Sequence, residues 1–259
     1  MRRRWTTVAA AGVVGLVVLG AAYLVVSRSG GPVNARGAEQ SAREAVSRGA
    51  APAGRHGSVR DALPTVIPGL GPKTRAAIPA ASRQVLVAAG AAKNSASTVV
   101  TLWSRTDDGR WRPGSTWPAH NALRGWTRTH HAGDLRSPIG VFTLSDAGGF
   151  EPDPGAKLPY HHSSRFLVGG VGFAGEPLDD AFDYVIAIDY NRVAGTSPLD
   201  GSQPLGAGRG GGIWVHVDHG GPTHGCVSVS ASHMVDLLHT LHPTAHPVIV
   251  MGDRASLST

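Results

Sequence analysis

Apolar residues recur at every second position in several short runs, and this period-two pattern predicts strands. Gln84-Val-Leu-Val-Ala-Ala89 is the first such run and Ser97-Thr-Val-Val-Thr-Leu-Trp-Ser-Arg105 the second, followed by turn material at Asp107-Asp-Gly109. Trp111 to Trp117 predicts a third strand, interrupted by Pro113, and Ile139-Gly-Val-Phe-Thr-Leu144 a fourth. Residues 146–180 are rich in Gly, Pro and Asp and predict loop, with a strand at Phe166-Leu-Val168. Tyr184-Val-Ile-Ala-Ile188 is apolar at every position, as a strand buried on both faces would be. The period changes once. Met234, Leu237, Leu238 and Leu241 lie at helical spacing, which predicts one helix over 231–241, stopped by Pro243. Pro247-Val-Ile-Val-Met251 predicts a closing strand. The expected fold is dominated by β-structure, a sandwich or barrel-like domain with one or two short helices.

Two alternating runs flank a glycine-rich loop. Gly212-Ile-Trp-Val-His-Val-Asp218 leads in, His219 to Gly225 forms the loop, and Cys226-Val-Ser-Val-Ser230 leads out. Ile213, Val215 and Val217 share one face, while Trp214, His216 and Asp218 share the other. Val227 and Val229 oppose Cys226, Ser228 and Ser230 in the same way. With the valines in the core, His216 and Cys226 both point away from it. A thiol with an imidazole in reach is the arrangement that gives a thiolate at neutral pH, so acyl transfer is the chemistry indicated. Cys226 is the candidate nucleophile and His216 the candidate general base. His224 shapes the pocket or shares the proton work. Gly225 permits close backbone approach, and its N–H with that of Cys226 would form an oxyanion hole. Thr223 and Ser228 are candidates for hydrogen bonds to substrate. Asp218 either orients His216 or is an exposed strand-end carboxylate. Tyr190 and Asn191 border the cleft or end a central strand.

Composition adjusts this picture in three ways. The chain of 259 residues has 35 glycines and 18 prolines, which favours turns and β-structure over helices. The single cysteine allows no internal disulfide. The net charge of +6 is uneven: residues 1–82 hold eleven Lys/Arg against three Asp/Glu, and the remainder thirteen against fifteen. The basic character therefore belongs to the N-terminal part, and no nucleic-acid surface is read from it.

That N-terminal part predicts export. Arg2-Arg-Arg4 precedes an uncharged run from Thr6 to Val26. About 20 apolar residues cross a bilayer as a helix. A cleaved leader has an apolar region of about 7–15 residues. Residues 1–27 are therefore expected to be an uncleaved anchor in preference to a signal segment. The arginines would stay in the cytoplasm and the rest of the chain outside. Residues 28–81, poor in large apolar side chains, are expected to be a flexible linker, and residues 82–259 the catalytic domain.

Thr223-His-Gly-Cys-Val227, preceded by His216, resembles the catalytic signature of the YkuD-type L,D-transpeptidases. Gly133-Asp-Leu-Arg-Ser-Pro-Ile-Gly-Val-Phe-Thr-Leu144 and Asp183-Tyr-Val-Ile-Ala-Ile-Asp-Tyr-Asn191 resemble two earlier segments of that family, in the same order. The resemblance runs from Ser82 to Gly252. It implies peptidoglycan stem peptides as substrate. It also implies a thioester on the cysteine, resolved by an amine of a second stem, with no cofactor or metal. The gap from His216 to Cys226 is shorter than in long-form members, and Ser228 stands where many carry Asn or Arg. Two other readings start from the same residues. His216, Asp218, His219 and His224, with His130-His131 and His161-His162, are donors that a metal-dependent hydrolase would use. A non-catalytic wall-binding domain on the same fold is the other.

Overall fold

The computed structural model describes residues 63–259, so the expected N-terminal anchor and most of the expected linker lie outside the described residues. In chain order the elements are α1 (Pro72–Ala76), β1 (Gln84–Gly90), β2 (Ser97–Arg105), β3 (Trp111–His120), β4 (Trp126–Thr127), β5 (Ser137–Pro138), β6 (Gly140–Thr143), β7 (Ala147–Gly149), β8 (Tyr160–His162), β9 (Val185–Ala187), β10 (Trp214–Val217), β11 (Val227–Val229), α2 (Ala231–Thr240), β12 (Val248–Asp253) and α3 (Arg254–Leu257). Ten strands form one mixed sheet in the order β6-β12-β1-β2-β3-β11-β10-β9-β7-β8, and β4 pairs with β5 apart from it.

The sheet curls back on itself. β6 is at one edge and β7 is next to the other, yet only Leu144, Ser145 and Asp146 join them. A connection that short spans roughly 10 Å, so the two ends of the sheet must lie close together. Hydrogen bonds close the gap: Asp189 N donates to Thr143 O, and Ala187 N to Asp146 O. The expected sandwich or barrel is thus realised as a curled open sheet with a few short helices. No helix among the described residues is long and apolar enough to cross a membrane.

Alternation builds two cores. In β1, Leu86 and Ala88 point into the main core with Ile249 and Met251 of β12, while Val85, Val87, Val248 and Val250 point the other way. α2 lies on the main core with Met234, Leu237, Leu238 and Leu241 fully buried, packed with Val215, Val217, Val227 and Val229. Each such leucine contributes roughly 1.5–3 kcal/mol. Ser230 caps the helix by accepting from His233 N. The opposite face of β1 and β12 is covered by Ile67, Leu70, Trp111 and Leu257. Packed structure therefore starts ahead of Ser82, within the segment expected to be linker.

The strands depart from expectation in several places. β7 and β8 lie within residues 146–180, expected to be mostly loop, and the short pair β4 and β5 has no period-two signal. Ser164–Phe166 is a 3₁₀ turn rather than a strand, with Ser163 Oγ accepting from Arg165 N. β3 runs through Pro113 to His120, and the irregularity that Pro113 predicts appears as a register shift opposite Thr101 to Trp103.

Candidate active site

The thiol is placed by a parallel pair. β10 and β11 align Val215 with Val227 and His216 with Ser228. Parallel neighbours need a connection that travels back the length of the strand. The loop from Asp218 to Cys226 does this, and delivers Cys226 beside Trp214 at the start of β10. Thr223 anchors the loop: its N–H donates to Asn121 O, and its carbonyl accepts from Leu123 N. Thr223 Oγ1 and Ser137 Oγ both donate to Cys226 O, at 2.7 and 3.3 Å. A Cβ on Gly225 would come within 2.8 Å of Ile213 Cδ1, so glycine is what lets the chain pass there. The Cys226 sulfur accepts from Trp214 N at 3.4 Å and donates to Gly212 O at 3.6 Å. It opens into a cleft of about 370 Å³ lined by His130, Leu135, Gln203, the Gly210–Gly212 run, His224 and Gly225.

His216 points away from the valine core as the alternation predicts, but not into solvent. It is 3% exposed. Phe182 meets the ring edge-on at 5.3 Å, and His219 stacks on it at 5.7 Å. Phe166 and Phe182 also cover Trp214, so residues 163–183 roof this face of β10. Nδ1 lies 2.8 Å from Val217 O. A carbonyl only accepts, so Nδ1 carries the proton and Nε2 the lone pair. The orienter of His216 is thus a backbone carbonyl and not Asp218. Burial pushes the imidazole down to about 4, against the opposing hydrogen bond to Val217 O. Burial pushes the Cys226 thiol up to about 11, against the opposing hydrogen bond from Trp214 N. The expected thiolate at neutral pH is corrected: at rest both groups are neutral.

The other expected residues separate into two sets. His224 is exposed, lies tilted against Phe173 with ring centroids 4.6 Å apart and lines the cleft, as does Gly225. Thr223 is buried and holds the Cys226 carbonyl, which makes it a support for the nucleophile. Ser228 is fully buried and donates to Asp218 Oδ1 at 2.8 Å, so it faces the sheet and not substrate. Asp218 also binds His120 Nδ1 at 2.8 Å. It is neither an exposed end nor an orienter: it ties β3, β10 and β11 together. Burial raises its carboxyl, but hydrogen bonds from His120 and Ser228 outweigh this and hold it below its ordinary value.

Sequence reasoning offered His130 only as a possible metal donor. The structure buries it in the cleft beside Asp134, and the i, i+4 spacing of the two was the available signal. Tyr190 and Asn191 are buried behind the cleft and hold its far loop by hydrogen bonds to Arg209 O and Gly210 O. For the metal reading, His216 is turned to Val217 O and His219 to Glu176. Among the described residues no three His, Cys, Asp or Glu side chains converge on a metal position.

Residues 100–250 match the family model of the YkuD L,D-transpeptidase catalytic domain. The comparisons with curated proteins and with solved structures gave no match. The matched segment takes in both strands of the parallel pair, the loop between them and the cysteine it delivers. The chain belongs to the YkuD family of L,D-transpeptidase catalytic domains.

Proposed function

We propose that the protein is a cysteine acyltransferase that joins peptidoglycan stem peptides by L,D-transpeptidation. The observation that carries this is the thiol of Cys226, open to a cleft at the end of a glycine-rich loop, in a chain of this family. In this reading His216 Nε2 takes the thiol proton as the sulfur attacks the stem-peptide carbonyl carbon. The N–H groups of Gly225 and Cys226 stabilise the oxyanion. His216 then gives the proton to the departing amine, and a thioester remains on Cys226. An amine from a second stem resolves it to an amide. Because both groups rest neutral, proton transfer accompanies attack and does not precede it. The expected N-terminal anchor would hold the domain outside the membrane, where the polymer lies.

The test is intact mass of the full chain after incubation with a carbapenem, an acylating probe of cysteine nucleophiles. One adduct is expected on wild type and none on Cys226→Ala. His216→Ala should acylate slower by roughly 10²-fold or more. A wild type that stays unmodified, or one blocked only by a chelator, would sink this reading and favour the wall-binding or the metal-dependent alternative.

A further inference from the structure

The cleft is lined by a buried histidine other than His216. His130 is 5% exposed, and its Nδ1 lies 3.0 Å from Oδ1 of Asp134, itself 8% exposed. Asp134 is fixed by the backbone around it, accepting from His131 N at 3.1 Å and Arg136 N at 2.9 Å. The next residue, Leu135, has φ +57°, a conformation a leucine adopts at a cost, and it lines the same cleft.

The far side is equally constrained. Tyr190 Oη donates to His130 O at 3.2 Å and to Arg209 O at 3.0 Å, and its ring meets the His130 ring edge-on at 5.2 Å. Asn191, also at positive φ, donates to the Gly206 and Gly210 carbonyls. Two loops are thus held in place on either side of one imidazole. Room is kept at its outer nitrogen: a Cβ on Gly210 would come within 3.0 Å of His130 Nε2. A Cβ on Gly225 would lie 3.8 Å from His130 Cε1, which sets this ring edge beside the residue preceding the nucleophile. Nδ1 makes no well-aligned hydrogen bond, but the Asp134 carboxylate 3.0 Å away favours a proton there by its charge, leaving Nε2 as a base. His216, by contrast, lies under the roof with Trp214, on the face of β10 that Phe182 covers.

Resting on the thioester reading above, we propose that His130, oriented by Asp134, is the base of the second half-reaction. The neutral amine of the acceptor attacks the thioester carbonyl carbon. The C–N bond forms, the amine proton passes to His130 Nε2, and the C–S bond breaks. The sulfur leaves as thiolate and is reprotonated from the His130 imidazolium, which restores the neutral pair. His216 serves the first half-reaction and His130 the second. Asp134 is a positioning residue.

The two steps separate in a chase. The full chain is loaded with a tetrapeptide stem donor, and acylation is followed by release of the terminal amino acid. Glycine is then added as a small amine acceptor, and loss of the acyl-enzyme is followed by intact mass. In His130→Gln acylation should stay within about twofold of wild type, while amine-dependent loss slows at least about tenfold. Asp134→Asn should slow that loss by a smaller factor. Normal acylation also reports that the variant is folded. Unchanged loss in both variants overturns the proposal. Acylation falling as far as the chase also overturns it, because His130 would then serve the thiol itself. A wild type that forms no acyl-enzyme removes the thioester reading first, and this proposal with it.

Discussion

Burial sets the chemistry of the two reacting residues in opposite directions, and both directions are measurable. The Cys226 thiol stands at about 11, so iodoacetamide, which needs thiolate, should alkylate it slowly at neutral pH and faster up to about pH 11 with no plateau near 7. His216 stands at about 4 in the folded chain, against about 6.5 when exposed. The unfolded chain therefore binds more protons between those values. The contribution of His216 to stability is intact above pH 6.5 and declines as pH falls to 4. Urea midpoints of wild type should drop across that window, and His216→Gln should flatten the drop. His130, also depressed by burial against the opposing pull of Asp134, adds to the same slope. Much of this centre was legible in the chain. The Thr223-His-Gly-Cys226 run located the thiol, and alternation set His216 opposite the valines. The roof of residues 163–183 was not legible, because Phe166 reads as the start of a strand and Phe182 sits in loop sequence with no period. Without that roof a histidine on the outer face of a strand reads as solvated, and its partner as a thiolate.

At the scale of elements, the parallel pairing of β10 and β11 decides who meets whom. Two strands joined by a short glycine-rich loop look alike in sequence whether they return antiparallel or cross over. The parallel register sets Ser228 beside His216 and moves Cys226 down to Trp214. Asp218 is the fastener of this arrangement, taking hydrogen bonds from His120 on β3 and Ser228 on β11. Asp218→Ala leaves Ser228 Oγ buried without that partner and is expected to cost about 1–3 kcal/mol. Chemical denaturation should show the loss, and carbapenem acylation of the remaining folded protein should be little changed. A proportionate loss of acylation would mean that Asp218 acts on His216 after all. The helix over 231–241 was the most readable element, since four leucine-class residues at helical spacing admit one face. Leu237→Ala should cost about 2–5 kcal/mol, read as a lower unfolding midpoint.

At the scale of the whole molecule, the two ends of the described chain cover one face together. Gly71 N donates to Leu257 O, and Lys73 N and Thr74 N both donate to Thr259 O. Leu257 packs with Ile67 and Leu70 over β1 and β12. Ending the chain after Asp253 removes these bonds and exposes that face. A fall in Tm of roughly 5–10 °C is expected, with earlier proteolysis ahead of Pro72. Residues 63–81 read as linker because Ile67 and Leu70 are isolated in sequence, and their partners lie at the other end of the chain. The curl of the sheet has a further consequence, for association. A long flat edge strand is a template on which other chains add and aggregate. Here the edges are β6, with 4 residues, and β8, with 3, brought near each other by the curl. β3 meets β11 only through His120, so its stretch ahead of that residue is also open, and there Pro113 and Pro118 remove backbone donors and blunt strand addition. Crowded copies should stay separate while folded, and turbidity on heating should follow the unfolded fraction rather than total protein.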